Sequence, residues 1–465
     1  MKATGIEKIA FGFGMLANQM FPAILGIFMV VLVQDMGWPG WLWSLIYFFP
    51  RIFDAITDPI MGFISDNTKS KWGRRRQYVF IGGLIMGLSF IFMWQIFKED
   101  GLEYNFWYFL SWSIVFYLGL TIFSVPYVAM GYEMSDDFHE RTSIMAIAQW
   151  IGQWAWVIAP LFWIIMYDPE WFPSPDVAAR QLAIWVAIPC TIFALIPAIF
   201  IRSKSTLEED YEPLNSSNIG NSLVRIFESF VEAFKMSEFR RLCGATFLIF
   251  NAFNTAAQLT FFVIVFMLFN GDTEAFGIWV AMFGSCGALG TTFIVIPTVA
   301  WLSKQYGKKR AFMISQGISL IGYVLLYFLF IPGKPWMYLY ALPFFSFGIG
   351  SLFTIMMSMT ADVIDVDELN TGKRREGIFG AIYWWMVKVG FAIAGTLSGL
   401  VITWLGFNPD LPTLAQQGAV DGLHAFFCFF PMAGTIIAMV IMSNYNITEG
   451  TAEETKRLLK ASRES

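Results

Sequence analysis

Arg51-Ile52-Phe53-Asp54-Ala55-Ile56-Thr57-Asp58-Pro59-Ile60-Met61-Gly62 lies inside an otherwise apolar run from residue 41 to residue 65. On a helix, at about 100° per residue, Arg51, Asp54 and Asp58 fall within an arc of roughly 60°. Each such charge at the centre of a membrane helix costs about 2.5 to 3.5 kcal/mol, whereas each Leu, Ile, Phe or Val regains only about 0.3 to 0.6 kcal/mol. The run can cross a bilayer only with its charged face turned into a bundle of other helices. One arginine cannot neutralise two carboxylates on the same face, so an internal ion pair alone does not account for the pattern.

The remaining sequence supplies that bundle. Of its 465 residues, 57% are hydrophobic, 18% aromatic and 14% charged, against ~45–50% apolar and ~25% charged in soluble domains. Too little polar surface is left to cover soluble domains. Cutting at Gly, Pro and charge clusters yields twelve runs of at least about 20 mostly apolar residues, the length of a membrane helix: 8–33, 41–65, 77–97, 105–130, 142–167, 181–201, 239–268, 274–301, 310–331, 335–361, 376–405 and 421–443. The fold class expected is therefore all-α, with twelve transmembrane helices. The first run is longer than the apolar core of a signal peptide and reads as a retained helix.

Thirty Lys+Arg against thirty-five Asp+Glu leave a net charge of −5, which offers no basic face for a nucleic acid. Cys190, Cys243, Cys286 and Cys428 sit in apolar runs with no C-x-x-C spacing, His139 in a polar loop and His424 in an apolar run. Neither a disulfide framework nor a metal-ligand spacing is present. No nucleophile–base pair, metal cluster or phosphate loop points to an enzyme.

Loop charge orients the bundle. Loops after even-numbered runs, counted with the basic residues at their borders (Lys69 to Arg76, Arg141, Arg202 to Arg241, Lys304 to Arg310 and Lys373 to Arg375), hold five, one, six, four and three basic residues, nineteen altogether, while the opposite loops hold only Lys98, Arg180 and Lys334. Lys and Arg accumulate on the cytoplasmic side, so both termini are expected in the cytoplasm of a cell (inner) membrane protein. Only Arg51 and Lys388 are left at membrane depth.

The pattern also repeats. Trp72-Gly73-Arg74-Arg75-Arg76 has a counterpart in Tyr306-Gly307-Lys308-Lys309-Arg310, and the loop of Glu133, Asp136, Asp137 and Arg141 has one in Asp362, Asp365, Asp367 and Arg374. Offsets of 234 and 233 residues, about half the chain, imply two six-helix halves in parallel repeat. The expected organisation is an N-terminal half at 1–201, a cytoplasmic linker at 202–238, a C-terminal half at 239–447 and a cytoplasmic tail at 448–465. Leu223, Phe227, Phe230 and Phe234 recur at helical spacing in the linker, predicting a short amphipathic helix that braces the halves.

Two residue sets carry the functional reading. Asp54 and Asp58, joined by the hydroxyls of Thr57 and Thr121, make an all-oxygen set suited to a hard cation or a proton. Lys388 is the counter-charge that would stand in when no cation is bound, and Arg51 belongs with it in coupling. The second set, Asn18, Gln19, Ser124, Gln149, Gln153 and Trp384, supplies amides and a hydroxyl for a polyhydroxylated substrate and a ring for its C–H faces. Asp66, Arg74, Glu133, Arg141, Asp362 and Arg374 are expected to latch the cytoplasmic side.

The span 2 stretch, followed by Asn67-Thr68 and Trp72-Gly73-Arg74, resembles the signature of the glycoside-pentoside-hexuronide:cation symporters of the major facilitator superfamily, typified by the melibiose carrier. Phe11 to Gly14, Thr121 with Pro126, and Ala361-Asp362 through Lys388 extend the resemblance over nearly the whole chain. The resemblance implies the major facilitator fold, a cation site at Asp54, Thr57, Asp58 and Thr121, and Lys388 beside it. The pattern has Asn where this chain has Thr57. At its sugar site, acids are replaced by Gln19 and Ser124, basic residues by Asn18 and Gln149, and a tryptophan by Val128. Coupling machinery is kept while galactoside recognition is replaced.

The function expected is secondary symport, coupling inward Na⁺ or H⁺ movement to uptake of a glycoside, pentoside or uronide by alternating access. The alternatives are a cation-coupled lysolipid or other amphiphile carrier, and a non-transporting solute sensor. Expected partners are a small-molecule substrate, a sugar or sugar acid, and membrane lipid. The protein is expected to be a monomer with no cofactor beyond the coupling ion.

Overall fold

A computed structural model describes residues 3–135, 138–203, 205–207, 216–272, 276–372 and 376–464, all helix, turn or coil with no strand among them. Arg374 and the Asp136–Asp137 pair lie outside the described residues, as does the side chain of Arg141. The chain forms two compact units, Met1–Val224 and Arg225–Ser465.

The first unit holds α1 (Gly5–Gln34), α2 (Gly40–Asp66), α3 (Arg76–Met93), α4 (Leu102–Glu133), α5 (Phe138–Ile158) and α6 (Pro175–Phe200). Thr4 starts α1 with a capping box: the Glu7 amide donates to Thr4 Oγ1 at 3.3 Å and the Thr4 amide to Glu7 Oε2 at 2.9 Å, satisfying two otherwise orphan donors. Pro175 occupies the first turn of α6, where its missing N–H costs nothing. Pro160 has the opposite effect on α5. Lacking a donor inside the helix, it turns residues 159–161 into a 3₁₀ segment before a short continuation at Phe162–Met166.

Helix α7 (Ser216–Lys235) carries the boundary between the units. The second unit continues with α8 (Ser237–Leu268), α9 (Gly277–Tyr306), α10 (Lys308–Leu329), α11 (Leu342–Thr371), α12 (Glu376–Trp404), α13 (Gln417–Ser443) and α14 (Glu449–Glu464). Wide π-turns occupy Val263–Leu268 in α8, Thr291–Val295 in α9 and Leu352–Met356 in α11. The turn in α9 directly precedes Pro297, which cannot donate to the carbonyl four residues back, so the helix widens there.

Pairing of helices is the same in both units. In the first, α1 packs on α5 and α6, α3 on α4 and α6, and α2 on α4; in the second, α8 packs on α12 and α13, α10 on α11 and α13, and α9 on α11. Glycine sets the closest approach in each. A Cβ on Gly82 of α3 would collide with the backbone of Phe123 on α4, and one on Gly322 of α10 with the backbone of Phe345 on α11. The repeated loops share backbone geometry too, since Gly73 and Gly307 adopt φ of 83° and 78°, left-handed values that favour glycine.

Among the described residues, eleven helices are long and apolar enough to cross a membrane. The second of the twelve expected segments, α2, is 27 residues long but is diluted by Arg51, Asp54 and Asp58. Its buried face includes Trp43, Tyr47 and Asp54, with Arg51 and Asp58 half-buried beside it, as the cost of an intramembrane charge requires.

In the linker, Phe230 stacks on Phe234 with centroids 4.7 Å apart and meets Trp385 edge-on at 5.3 Å, while Phe234 meets Phe239 at 5.8 Å. Phe227, a turn further from this anchor, is exposed. Only the last turns of α7 are fastened to the second unit by ring packing.

Candidate functional site

The offsets within Arg51–Gly62 place Asp54, Thr57 and Asp58 along the side of α2 that meets α4, and Thr121 faces them. The Thr121 hydroxyl stands 2.6 Å from Asp54 Oδ1 and 3.3 Å from Asp58 Oδ1. Thr57 Oγ1 lies 3.2 Å from Thr121 Oγ1 and donates back to the carbonyls of Phe53 at 3.0 Å and Asp54 at 3.1 Å. Asp54 is 4% and Thr121 1% exposed. Two carboxylates and two hydroxyls thus converge within one unit, a cluster of oxygens, the donor type that hard cations take.

One turn along α2, Arg51 lies over the rings of Tyr47 and Tyr117, 5.2 and 5.6 Å from their centroids. Cation–π contact is attractive here because the guanidinium is only partly hydrated. Arg51, both tyrosines and Ser113 line a small recess closed by Leu25, Met29, Ile46 and Phe109. Lys388 is half-buried on α12 of the second unit.

The residues expected to meet a substrate are partly gathered. Gln19 Nε2 donates to Gln149 Oε1 at 3.4 Å, and the indole N–H of Trp156 donates to Gln19 Oε1 at 3.1 Å. Gly152 lets α5 come close to α1, since a Cβ there would lie 2.6 Å from Met15 and 2.9 Å from the Gln19 amide. Asn18, Ser124 and Gln153 are half-buried in the same unit. Trp384 belongs to the second unit, exposed and edge-on to Tyr383 at 5.9 Å. Trp156 was not among the residues expected from sequence, although its place in the run Trp150, Trp154, Trp156 was visible.

At the ends carrying the repeated loops, each unit holds ion pairs of its own. Glu133 Oε1 accepts from Arg74 Nε at 3.1 Å and Arg75 Nε at 2.8 Å, while Arg75 also reaches Asp66 Oδ1 at 2.6 Å and Ser65 Oγ at 3.2 Å. Arg74, which also donates to the Asp66 carbonyl at 3.5 Å, and Arg75 therefore both tie α2 to α4, and Arg75 is the more deeply buried of the two. In the second unit Lys308 Nζ lies 2.5 Å from Asp362 Oδ2. Arg76 donates to the carbonyls of Ala198 and Ile199 at 2.7 and 3.1 Å, and Lys309 to those of Ser443 and Tyr445 at 2.6 and 2.9 Å. Each repeated loop thus also caps the last long helix of its own half, where unpaired carbonyls attract a cation.

Outside the spans, one carboxyl is held in an unusual state. Asp35 follows α1, half-buried, and accepts from the Tyr167 hydroxyl at 2.7 Å. Burial pushes its pKa up to about 7, with the Tyr167 hydrogen bond and Lys98 opposing and Asp176 adding to the rise.

Comparison with known proteins places this architecture. An uncharacterised symporter of Synechocystis is 27% identical, with 98% of this chain and 96% of the relative covered. A glucuronide carrier protein homolog of Escherichia coli is 22% identical over 96% and 93%, and a putative sulfoquinovose importer of the same organism is 23% identical over 94% and 89%. Among solved structures, a bacterial homolog of the human lysosomal transporter Spinster superposes with a TM-score of 0.67 at 13% identity, covering 94% and 95% of the two chains. The nucleoside transporter NupG gives 0.65 at 10%, covering 95% and 100%. These two likenesses carry the fold. Residues 10–449 match the model of the family described as MFS/sugar transport protein; this multi-pass membrane protein, a transporter by its relatives, belongs to that family.

Proposed function

We propose that the protein is a secondary symporter of the cytoplasmic (inner) membrane, with both termini in the cytoplasm, that couples inward Na⁺ or H⁺ movement to uptake of a glycoside, pentoside or uronide by alternating access. The observation that carries the reading is the cluster on α2 and α4. Asp54 and Asp58 share the Thr121 hydroxyl at 2.6 and 3.3 Å with Thr57 at 3.2 Å from it, and such buried carboxylates are costly unless they serve an ion. Relatives named as a glucuronide carrier homolog, a sulfoquinovose importer and lactose permeases support a sugar or sugar acid as the substrate class. Gln19, Gln149 and Trp156 offer amide groups linked to an indole N–H, a combination suited to hydroxyls on a sugar ring.

The test is uptake into proteoliposomes of labelled methyl glucuronide, sulfoquinovose and lactose, each under an imposed Na⁺ or proton gradient. At least one compound should accumulate with one gradient and not the other, and Asp58→Asn should abolish accumulation. Accumulation that ignores both gradients and this substitution would overturn the coupling assignment.

A further inference from the structure

Asp362, at the loop end of α11 and 6% exposed, is approached by ammonium groups from two distant parts of the sequence. Lys308 Nζ, at the start of α10, is 2.5 Å from Oδ2, and Lys456 Nζ, on α14, is 3.9 Å from Oδ1. In the first unit Glu133 likewise receives two cations, but Arg74 and Arg75 both come from the loop between α2 and α3. The repeat explains the difference. Lys309 holds the position of Arg75, yet its ammonium is turned to the carbonyls of Ser443 and Tyr445. The second charge at Asp362 is supplied by the end of the chain instead.

Helix α14 is built to deliver it. Thr448 caps the helix, its hydroxyl accepting from the Thr451 amide at 3.4 Å while the Thr448 amide donates to Thr451 Oγ1 at 2.8 Å. Thr455 and Leu459 are buried one turn apart, and α14 packs on α11. Lys456, between them, keeps its side chain 59% exposed. A short helix with two buried side chains, fastened by an exposed and salt-screened cation, can release.

We propose that α14 is a regulatory arm of the transporter, in which Lys456 is a positioning residue that completes the charge pairing of Asp362, so that docking and release of the arm set the turnover rate. This rests on the transport reading above. The arm then acts on the cycle through Asp362 and Lys308, without touching the substrate.

Two measurements on the full-length chain in proteoliposomes test it. The first needs no substrate: a nitroxide on Leu458→Cys, in a Cys286→Ser background that removes the exposed native thiol, reports mobility of the arm. Asp362→Asn, Lys456→Gln or about 1 M salt should each raise that mobility. The second is uptake of labelled methyl glucuronide, or whichever of the three sugars above accumulates. Lys456→Gln should change maximal uptake about two- to fivefold, the size an exposed ion pair carries, with KM and thermal midpoint unchanged and Lys456→Arg restoring the native rate. A label whose mobility ignores all three perturbations overturns docking through Asp362. Native uptake by Lys456→Gln, or a lost rate accompanied by a lower thermal midpoint and no rescue by arginine, overturns the regulatory role. Failure of all three sugars to accumulate in the native protein would strike the transport reading and leave the mobility result standing by itself.

Discussion

The Thr121 hydroxyl on α4 donates to Asp54 Oδ1 on α2 across 2.6 Å, out of solvent, and in doing so joins α4 to the helix that holds both Asp54 and Asp58. Removing this donor leaves a buried carboxylate short of one hydrogen bond, a loss of about 1–3 kcal/mol. Thr121→Ala should therefore raise the half-saturating concentration of the coupling ion about tenfold or more, whereas Thr121→Ser should stay near the native value. Ion titrations of uptake, or of ion-induced tryptophan fluorescence, measure the difference. Equal behaviour of the two variants would show that the hydroxyl is a packing group only.

Arg75 reaches Asp66, Ser65 and Glu133 from one guanidinium, a fork that lysine cannot reproduce. Arg75→Gln is expected to cost about 1.5–3 kcal/mol of stability, since its hydrogen bonds are to charged groups, and to lower uptake more than Arg74→Gln does. Thermal unfolding in detergent and maximal uptake read out the two effects. Arg75→Lys should recover only part of each.

Asp35 provides a pH signature outside the membrane spans. Its folded pKa is raised to about 7 from an ordinary carboxylate value of 3.8, so across that interval the folded protein binds more protons than the unfolded chain. Stability then falls as pH rises from about 4 through 7 and levels off above. A thermal midpoint that declines between pH 5 and pH 8 is expected for the native protein. Asp35→Asn should flatten that decline, and Tyr167→Phe, which removes the opposing hydrogen bond, should steepen it or shift it to higher pH.

Glycine contacts between α3 and α4, and between α10 and α11, leave no space for a side chain. Gly82→Val and Gly322→Val should each destabilise by about 1–3 kcal/mol or prevent insertion altogether. Gly26→Ala, with no atom within 4 Å of the new Cβ, is the control that should insert normally. Yield of monodisperse protein and its thermal midpoint distinguish these outcomes.

Much of the fold was legible because membrane helices announce themselves by length and by loop charge, and because the Gly73 and Gly307 loops repeat. The α2 cluster was legible too, as i, i+3 and i+4 spacing fixes which side chains share a face whatever surrounds them. Which cation of Arg74-Arg75-Arg76 turns inward was not legible. The three are chemically equivalent, and the choice is set by the left-handed turn at Gly73 and by the phase with which α3 starts at Arg76. Trp156 was missed for a similar reason: of three closely spaced indoles, only the packing of α5 on α1 decides which N–H reaches Gln19. The docking of α14 depends on tertiary contact alone, since an isolated sequence of Glu, Lys, Thr and Leu reads simply as a solvated tail.

The three π-turns, all in α8, α9 and α11 and none in the first unit among the described residues, make the duplicated halves mechanically unequal. A π-turn is a residue of slack: sliding it along a helix rotates the following segment without breaking the ladder on either side. The half that contains Asp54 and Asp58 shows no such slack among the described residues, its interruptions being prolines of fixed φ such as Pro50 and Pro59 in α2 and Pro160 after α5, while the other half can bend at three π-turns. Amide exchange should accordingly be faster at 263–268, 291–295 and 352–356 than at matching depths in α1, α2 and α4. In this transporter, the half holding the acidic cluster would serve as the anvil and its partner as the spring.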